Sequence, residues 1–136
     1  MTMFKSYVSI VSFILRLVAA IILLQTLYFK FSAHPESVAL FTRLGVEPWG
    51  RVATGCIELV AGILLLWPKM SWMGAGLGLG LMSGAILSHL TVLGIASAND
   101  GGQLFFLAGV VWVACFLLMI MQRKHWTNLI QHFTKK

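Results

Sequence analysis

Acidic side chains are scarce in this chain: four Asp and Glu, against ten Lys and Arg, among 136 residues. Charged residues of both signs make up only 10% of it, and a soluble domain of this length would carry far more. Cysteine is scarce as well. Cys56 and Cys115 stand inside apolar runs, with no CxxC and no zinc spacing, which excludes a secreted disulfide framework and a structural zinc site. Small buried thiols are the plain reading. There is no GxSxG, no P-loop and no dinucleotide fingerprint; the glycine-rich stretch follows no strand. Also missing are the ~10-residue segments of alternating polarity that build a membrane barrel. The formal net charge of +6 does not point to nucleic acid, because the basic residues flank apolar runs and form no stripe with aromatics between them. They fit membrane topology and contact with the anionic headgroups of membrane lipids.

What the chain does have is apolar length. Hydrophobic residues are 59% of it, and the mean hydropathy is +0.89. Four apolar runs, 7–29, 49–67, 71–94 and 103–121, each come close to the ~20 residues that cross ~30 Å of hydrocarbon as a helix. The expected fold is all-α: one transmembrane domain over 1–136, a four-helix transmembrane bundle with a short interfacial helix between helices 1 and 2. A basic cytoplasmic tail, 122–136, follows it. The first run reads as a span and not as a cleaved leader: it outlasts a typical h-region, contains Arg16 and Gln25, and ends in Tyr28-Phe29-Lys30. In the connection after it, Pro35-Glu36 resembles a helix start, Val38, Phe41 and Leu44 recur every third residue, and Gly45 is a stop. Trp67-Pro68-Lys69-Met70-Ser71 leaves room only for an antiparallel hairpin. Asn99 and Asp100 are placed to cap the fourth helix.

Four spans put the N-terminus, the 67–71 turn and the tail on one side. That side carries six basic residues: Lys5, Lys69, Arg123, Lys124, Lys135 and Lys136. The other carries three: Lys30, Arg43 and Arg51. The expected location is the inner membrane, with both termini cytoplasmic. Aromatics mark both interfaces, with Tyr7, Trp67, Trp72 and Trp126 inside and Tyr28 and Trp49 outside. Trp112, deep in the fourth run, reads as packing.

Polar groups inside the spans are the candidates for function. Glu58 lies near the middle of its run, where a charge is costly and normally faces the protein interior. Gly55 and Gly62 flank it on the same face and let another helix approach. Counted from the inner ends of their runs, Arg16 and Glu58 stand at similar height, which predicts an Arg16–Glu58 pair. Two readings of that pair stand side by side: an internal brace, or a proton or ligand site. Gly76, Gly80, Gly84 and Ser88 predict a close-packing stripe, with Gly74 and Gly78 as an adjacent line. Gln25, Lys30, Arg51, His89 and Gln103 reach the outer half as a polar pocket, and Gln25, Lys30, His89 and Gln103 make, with Arg16 and Glu58, a candidate ligand-binding set. No metal site is expected, since His89 and Glu58 lie at different heights.

Read together, these residues resemble the DoxX family of small four-helix membrane proteins. The resemblance spans roughly 15–118. It rests on Arg16-Leu17, Lys30, the Leu44-Gly45-Val46-Glu47-Pro48 run, Glu58 with Gly62, Ser88-His89-Leu90 after the glycines, and Gly101-Gly102-Gln103. It implies an integral membrane protein, and for some members a subunit of a thiosulfate:quinone oxidoreductase or of membrane redox-stress complexes. No covalently bound cofactor is implied, and a quinone is the candidate ligand. Paired cysteines and a haem-like His pair are absent, so electrons would have to come through a quinone or partner subunits. The expected role is therefore a membrane subunit or scaffold linked to redox metabolism, binding a quinone or other lipophilic ligand near Arg16–Glu58 and His89. Whether it is an enzyme is left open. Membrane lipids, protein subunits or a second copy are the expected partners, and nucleic acid is not. The alternatives are an assembly protein without catalysis and a small proton-coupled transporter.

Overall fold

A computed structural model describes residues 2–96 and 101–135. Six helices follow one another: α1 (Thr2–Phe31), α2 (Pro35–Arg43), α3 (Trp49–Leu66), α4 (Ser71–Ser88), α5 (Gln103–Met121) and α6 (Arg123–Thr134). A π-helical turn, His89–Leu93, prolongs α4. Four of these elements are long and apolar enough to cross a membrane: Lys5–Phe31, Trp49–Leu66, Ser71–Leu93 and Gln103–Met121. They pack in a ring in the order α1, α3, α4, α5, with α5 closing on α1. No strand occurs among the described residues.

The core of the ring is narrow. It is built largely from alanine: Ala19, Ala20, Ala61, Ala75, Ala108 and Ala114, with Leu23, Leu65, Val111, Cys115 and Leu118 between them. Larger apolar side chains such as Ile21, Val60, Leu87 and Phe106 point outward. This distribution suits a lipid solvent, where the surroundings are as apolar as the core and small residues let helices come close. Trp49 and Trp67 are exposed at the two ends of α3. They stand ~27 Å apart along the axis, close to the thickness of the hydrocarbon layer. Trp112 is more than packing: its Nε1–H donates to Ser83 Oγ at 2.9 Å, and its ring stacks on Phe116.

Two expectations need correction. The packed glycines of α4 are Gly74 and Gly78. A Cβ on Gly74 would lie 2.7 Å from Leu65 N and 2.8 Å from Ala61 O, and one on Gly78 would lie 2.8 Å from Cys115 Sγ. Gly80 and Gly84 have nothing within 4 Å of such a Cβ. The reason is periodicity. A stripe with spacing four turns ~40° per step around a helix of 3.6 residues per turn and leaves the interface. The buried line Ser71, Ala75, Gly78, Met82 and His89 mixes steps of three and four and stays on one face. Second, Cys56 is exposed while Cys115 is buried. In a lipid-facing bundle an apolar run does not tell the inner face from the outer one. The basic tail, whose conformation the sequence reading leaves open, is mostly helical. In α6 Leu129, Ile130 and Phe133 form one exposed apolar line, and Trp126 falls on the same line in sequence.

The interfacial helix is present as α2. Phe41 is its buried residue, and Gly45 ends the segment with φ +76°. Asn99 and Asp100, expected to cap the fourth span, lie outside the described residues. That span, α5, opens after Gly102 in the left-handed region, φ +87°.

Candidate functional site

Glu58 is buried on the face of α3 that meets α1. Its flanking glycines allow the approach: a Cβ at Gly55 would lie 3.0 Å from the Phe31 ring, and one at Gly62 would lie 2.7 Å from Leu24. The two helices run antiparallel, so this register fixes which side chains of α1 reach Glu58. They are Thr26 and Lys30, one turn apart on one face. Lys30 Nζ lies 3.0 Å from Glu58 Oε2, with the two side chains 13% and 6% exposed. Thr26 Oγ1 lies 2.9 Å from the same oxygen. The Thr26 hydroxyl is also 2.7 Å from the Leu23 carbonyl, and its single proton serves one acceptor at a time. Among the described residues no hydrogen bond to Glu58 Oε1 occurs.

Lys30 also joins this centre to a second ion pair. Its backbone carbonyl accepts from Arg51 Nη1. The Nε–H of Arg51 is shared between Glu47 Oε1 and Oε2, at 2.9 and 3.0 Å. Arg51 is buried at the first turn of α3. The connected groups Glu47, Arg51, Lys30 and Glu58 hold two formal charges of each sign. Balance of this kind is what a desolvated site requires.

The expected Arg16–Glu58 pair does not form. Arg16 lies ten residues before Thr26, ~15 Å lower along α1, beside Pro68 in the α3–α4 turn. The heights matched in sequence only because both were counted from the ends of apolar runs. α1 is 30 residues long and continues past the rim of the bundle, so the end of its run is a poor origin.

The other candidates separate as well. His89 is buried, but its Nδ1 lies 2.9 Å from the Gly94 carbonyl and its ring meets Phe105 edge-on. A carbonyl only accepts, so this contact puts the proton on Nδ1. His89 thereby closes the π-helical turn. Gln25 and Gln103 are exposed. Of the six residues expected together, Lys30 and Glu58 are joined. Sequence reasoning placed Arg51 in the outer polar pocket but missed Thr26 and Glu47 as members of the centre. The spacing i, i+4 of Thr26–Lys30 and of Glu47–Arg51 was the available signal. No group of three or more His, Cys, Asp or Glu side chains suited to a metal occurs among the described residues.

A four-helix membrane bundle with a buried, charge-balanced centre between its first two spans is the class of protein these features define. Residues 14–112 match the model of the DoxX-like family, which covers most of the chain, and the protein belongs to that family. The match includes Lys30, Glu58 and His89. No curated protein and no solved structure matches the chain.

Proposed function

We propose that this DoxX-like protein is a membrane subunit that holds the polar head of a quinone or similar lipophilic ligand at Lys30 and Glu58, in the service of a redox partner. One observation carries the reading: Glu58 is buried and ion-paired with Lys30, yet among the described residues no hydrogen bond reaches its Oε1, and the ammonium beside it has N–H groups to spare. A quinone head presents carbonyl oxygens that accept and, once reduced, hydroxyls that donate. Lys30 supplies the donors and Glu58 Oε1 the acceptor. Electrons for any redox role come from a partner subunit, since the chain has neither paired cysteines nor a haem-like His pair.

The proposed orientation has both termini on the cytoplasmic side of the inner membrane. The start of α1, the α3–α4 turn and the α5–α6 junction share one end: Arg16 lies beside Pro68, and Ser71 bonds Gln122. Arg16 adds a seventh basic residue to the six counted on that side.

A second reading is an assembly protein in which Lys30–Glu58 is only a brace. Its support is the closed network from Glu47 to Glu58 and the exposed apolar line of α6. The deciding experiment is native mass spectrometry and quinone extraction on detergent-purified protein, beside Glu58→Gln. Quinone retained by wild type and lost from a folded Glu58→Gln supports the ligand site. Neither protein carrying quinone, together with loss of protein partners on deleting 123–134, supports assembly.

A further inference from the structure

The two ends of the bundle treat their basic residues differently. At the outer end every one has a partner within the protein: Lys30 on Glu58, Arg51 on Glu47, and Arg43 on the Val92 carbonyl at 3.3 Å. At the inner end Lys5, Lys69, Arg123, Lys124 and Lys135 have no ion-pair or hydrogen-bond partner among the described residues, and Arg16 has only the Phe13 ring, its guanidinium carbon 5.8 Å from the ring centroid. No acid is near to supply one. The four acids of the chain are Glu36, Glu47, Glu58 and Asp100, all in the outer connections or engaged at Lys30.

One face of α1 gathers this unmet charge. Lys5, Ser9, Ser12 and Arg16 follow at steps of four, three and four, which keeps them within about 60° of the helix circumference. Thr42, Thr54, Ser83 and Ser88 give their hydroxyl protons to carbonyls of their own helices. Among the described residues Ser9 and Ser12 make no such bond. Arg16 Nε is buried without a hydrogen-bond partner. Left unpaired in lipid, such a group is costly.

Two clefts open on either side of the two serines. One, of about 330 Å³, is completed by Lys5, Val8, Met121 and Gln122. The other, of about 460 Å³, is completed by Ile10, Phe13, Arg16 and Pro68. Both pair hydrogen-bond donors with apolar walls at the rim of the bundle, where headgroups lie. What fits is an amphiphile with an anionic head.

We propose that this face of α1 is a binding site for an anionic phospholipid. The phosphate takes the Arg16 guanidinium and the Ser12 and Ser9 hydroxyls, Lys5 balances the remaining charge, and the acyl chains run from Phe13 towards the bilayer interior over the exposed Leu17 and Ile21. The site is independent of the Lys30–Glu58 ligand. Lys5, Ser9 and Ser12 also precede residue 14, where the family match begins.

The test is a titration of delipidated full-length protein with phosphatidylglycerol, phosphatidylcholine or inorganic phosphate, read by native mass spectrometry and by the unfolding midpoint. Phosphatidylglycerol is expected to stay bound and raise the midpoint. Arg16→Gln weakens it by about tenfold or more, as loss of a charge-assisted hydrogen bond implies. A Ser9→Ala, Ser12→Ala double variant weakens it several-fold, and Lys124→Gln, on α6, leaves it unchanged. Phosphatidylcholine binding as tightly, or inorganic phosphate matching the lipid at equal concentration, overturns the proposal. If Arg16→Gln does not fold, the serine variant decides: wild-type affinity there overturns it.

Discussion

Lys30 and Glu58 face each other across the α1–α3 interface with Nζ and Oε2 3.0 Å apart, inside the membrane-spanning part of the bundle. Removing one partner leaves the other charge desolvated and alone. Loss of one member of such a pair costs about 3–5 kcal/mol, whereas replacing both by apolar groups of similar size is often neutral. Lys30→Met and Glu58→Leu should each lower stability strongly, and the double variant should recover most of the loss. A double-mutant cycle on unfolding in detergent checks this. Additive single effects would mean that the two charges do not rely on each other.

The glycines of α4 should divide by their surroundings. Gly74→Ala drives a methyl into the backbone of α3 and should cost about 1–3 kcal/mol, the usual range for overpacking. Gly80→Ala meets empty space and should be neutral or, at most, about 1 kcal/mol stabilising, since alanine is the better helix former. Unfolding midpoints of the two variants test this directly. Equal losses in both would place Gly80 in an interface with another molecule.

His89 and Gly94 hold the π-helical turn together at its two ends. Gly94 adopts φ 78° and ψ 163°, a conformation that essentially only glycine takes. Gly94→Ala should therefore cost about 1–3 kcal/mol through backbone strain. His89→Ala should cost a similar amount by removing the partner of a buried carbonyl. Hydrogen exchange over 89–94 should speed up in both variants while α1 and α3 stay protected. Unchanged exchange in His89→Ala would free His89 for another role.

Much of this architecture could be read directly from residue order. Four apolar runs of the right length leave few alternatives to four spans, and Pro35, Phe41 and Gly45 announced α2. The partner of Glu58 could not be read in the same way. Periodicity fixes which face of a helix Glu58 occupies, but the axial register between α1 and α3 depends on how Leu24 and Phe31 settle against Gly62 and Gly55. A shift of about four turns separates Arg16 from Lys30 as the partner, and hydropathy does not tell the two apart. α6 was legible but overlooked, because its charge drew notice before the spacing of Trp126, Leu129, Ile130 and Phe133.

The asymmetry of charge also makes the proposed orientation testable. With Arg16 and Lys69 at the inner rim, impermeant maleimide should reach a Lys69→Cys variant only from the cytoplasmic side, and a Glu36→Cys variant on α2 only from outside. The background should be low: Cys115 is buried, and Cys56, though exposed, lies within α3 and faces lipid. Intact cells and inverted vesicles carrying each variant give the two readings. The reverse pattern would put seven basic residues on the outer surface, against the usual charge bias of membrane insertion. It would also place the face of Lys5, Ser9, Ser12 and Arg16 in the outer leaflet, so labelling decides which leaflet must supply the lipid that this face is built to hold.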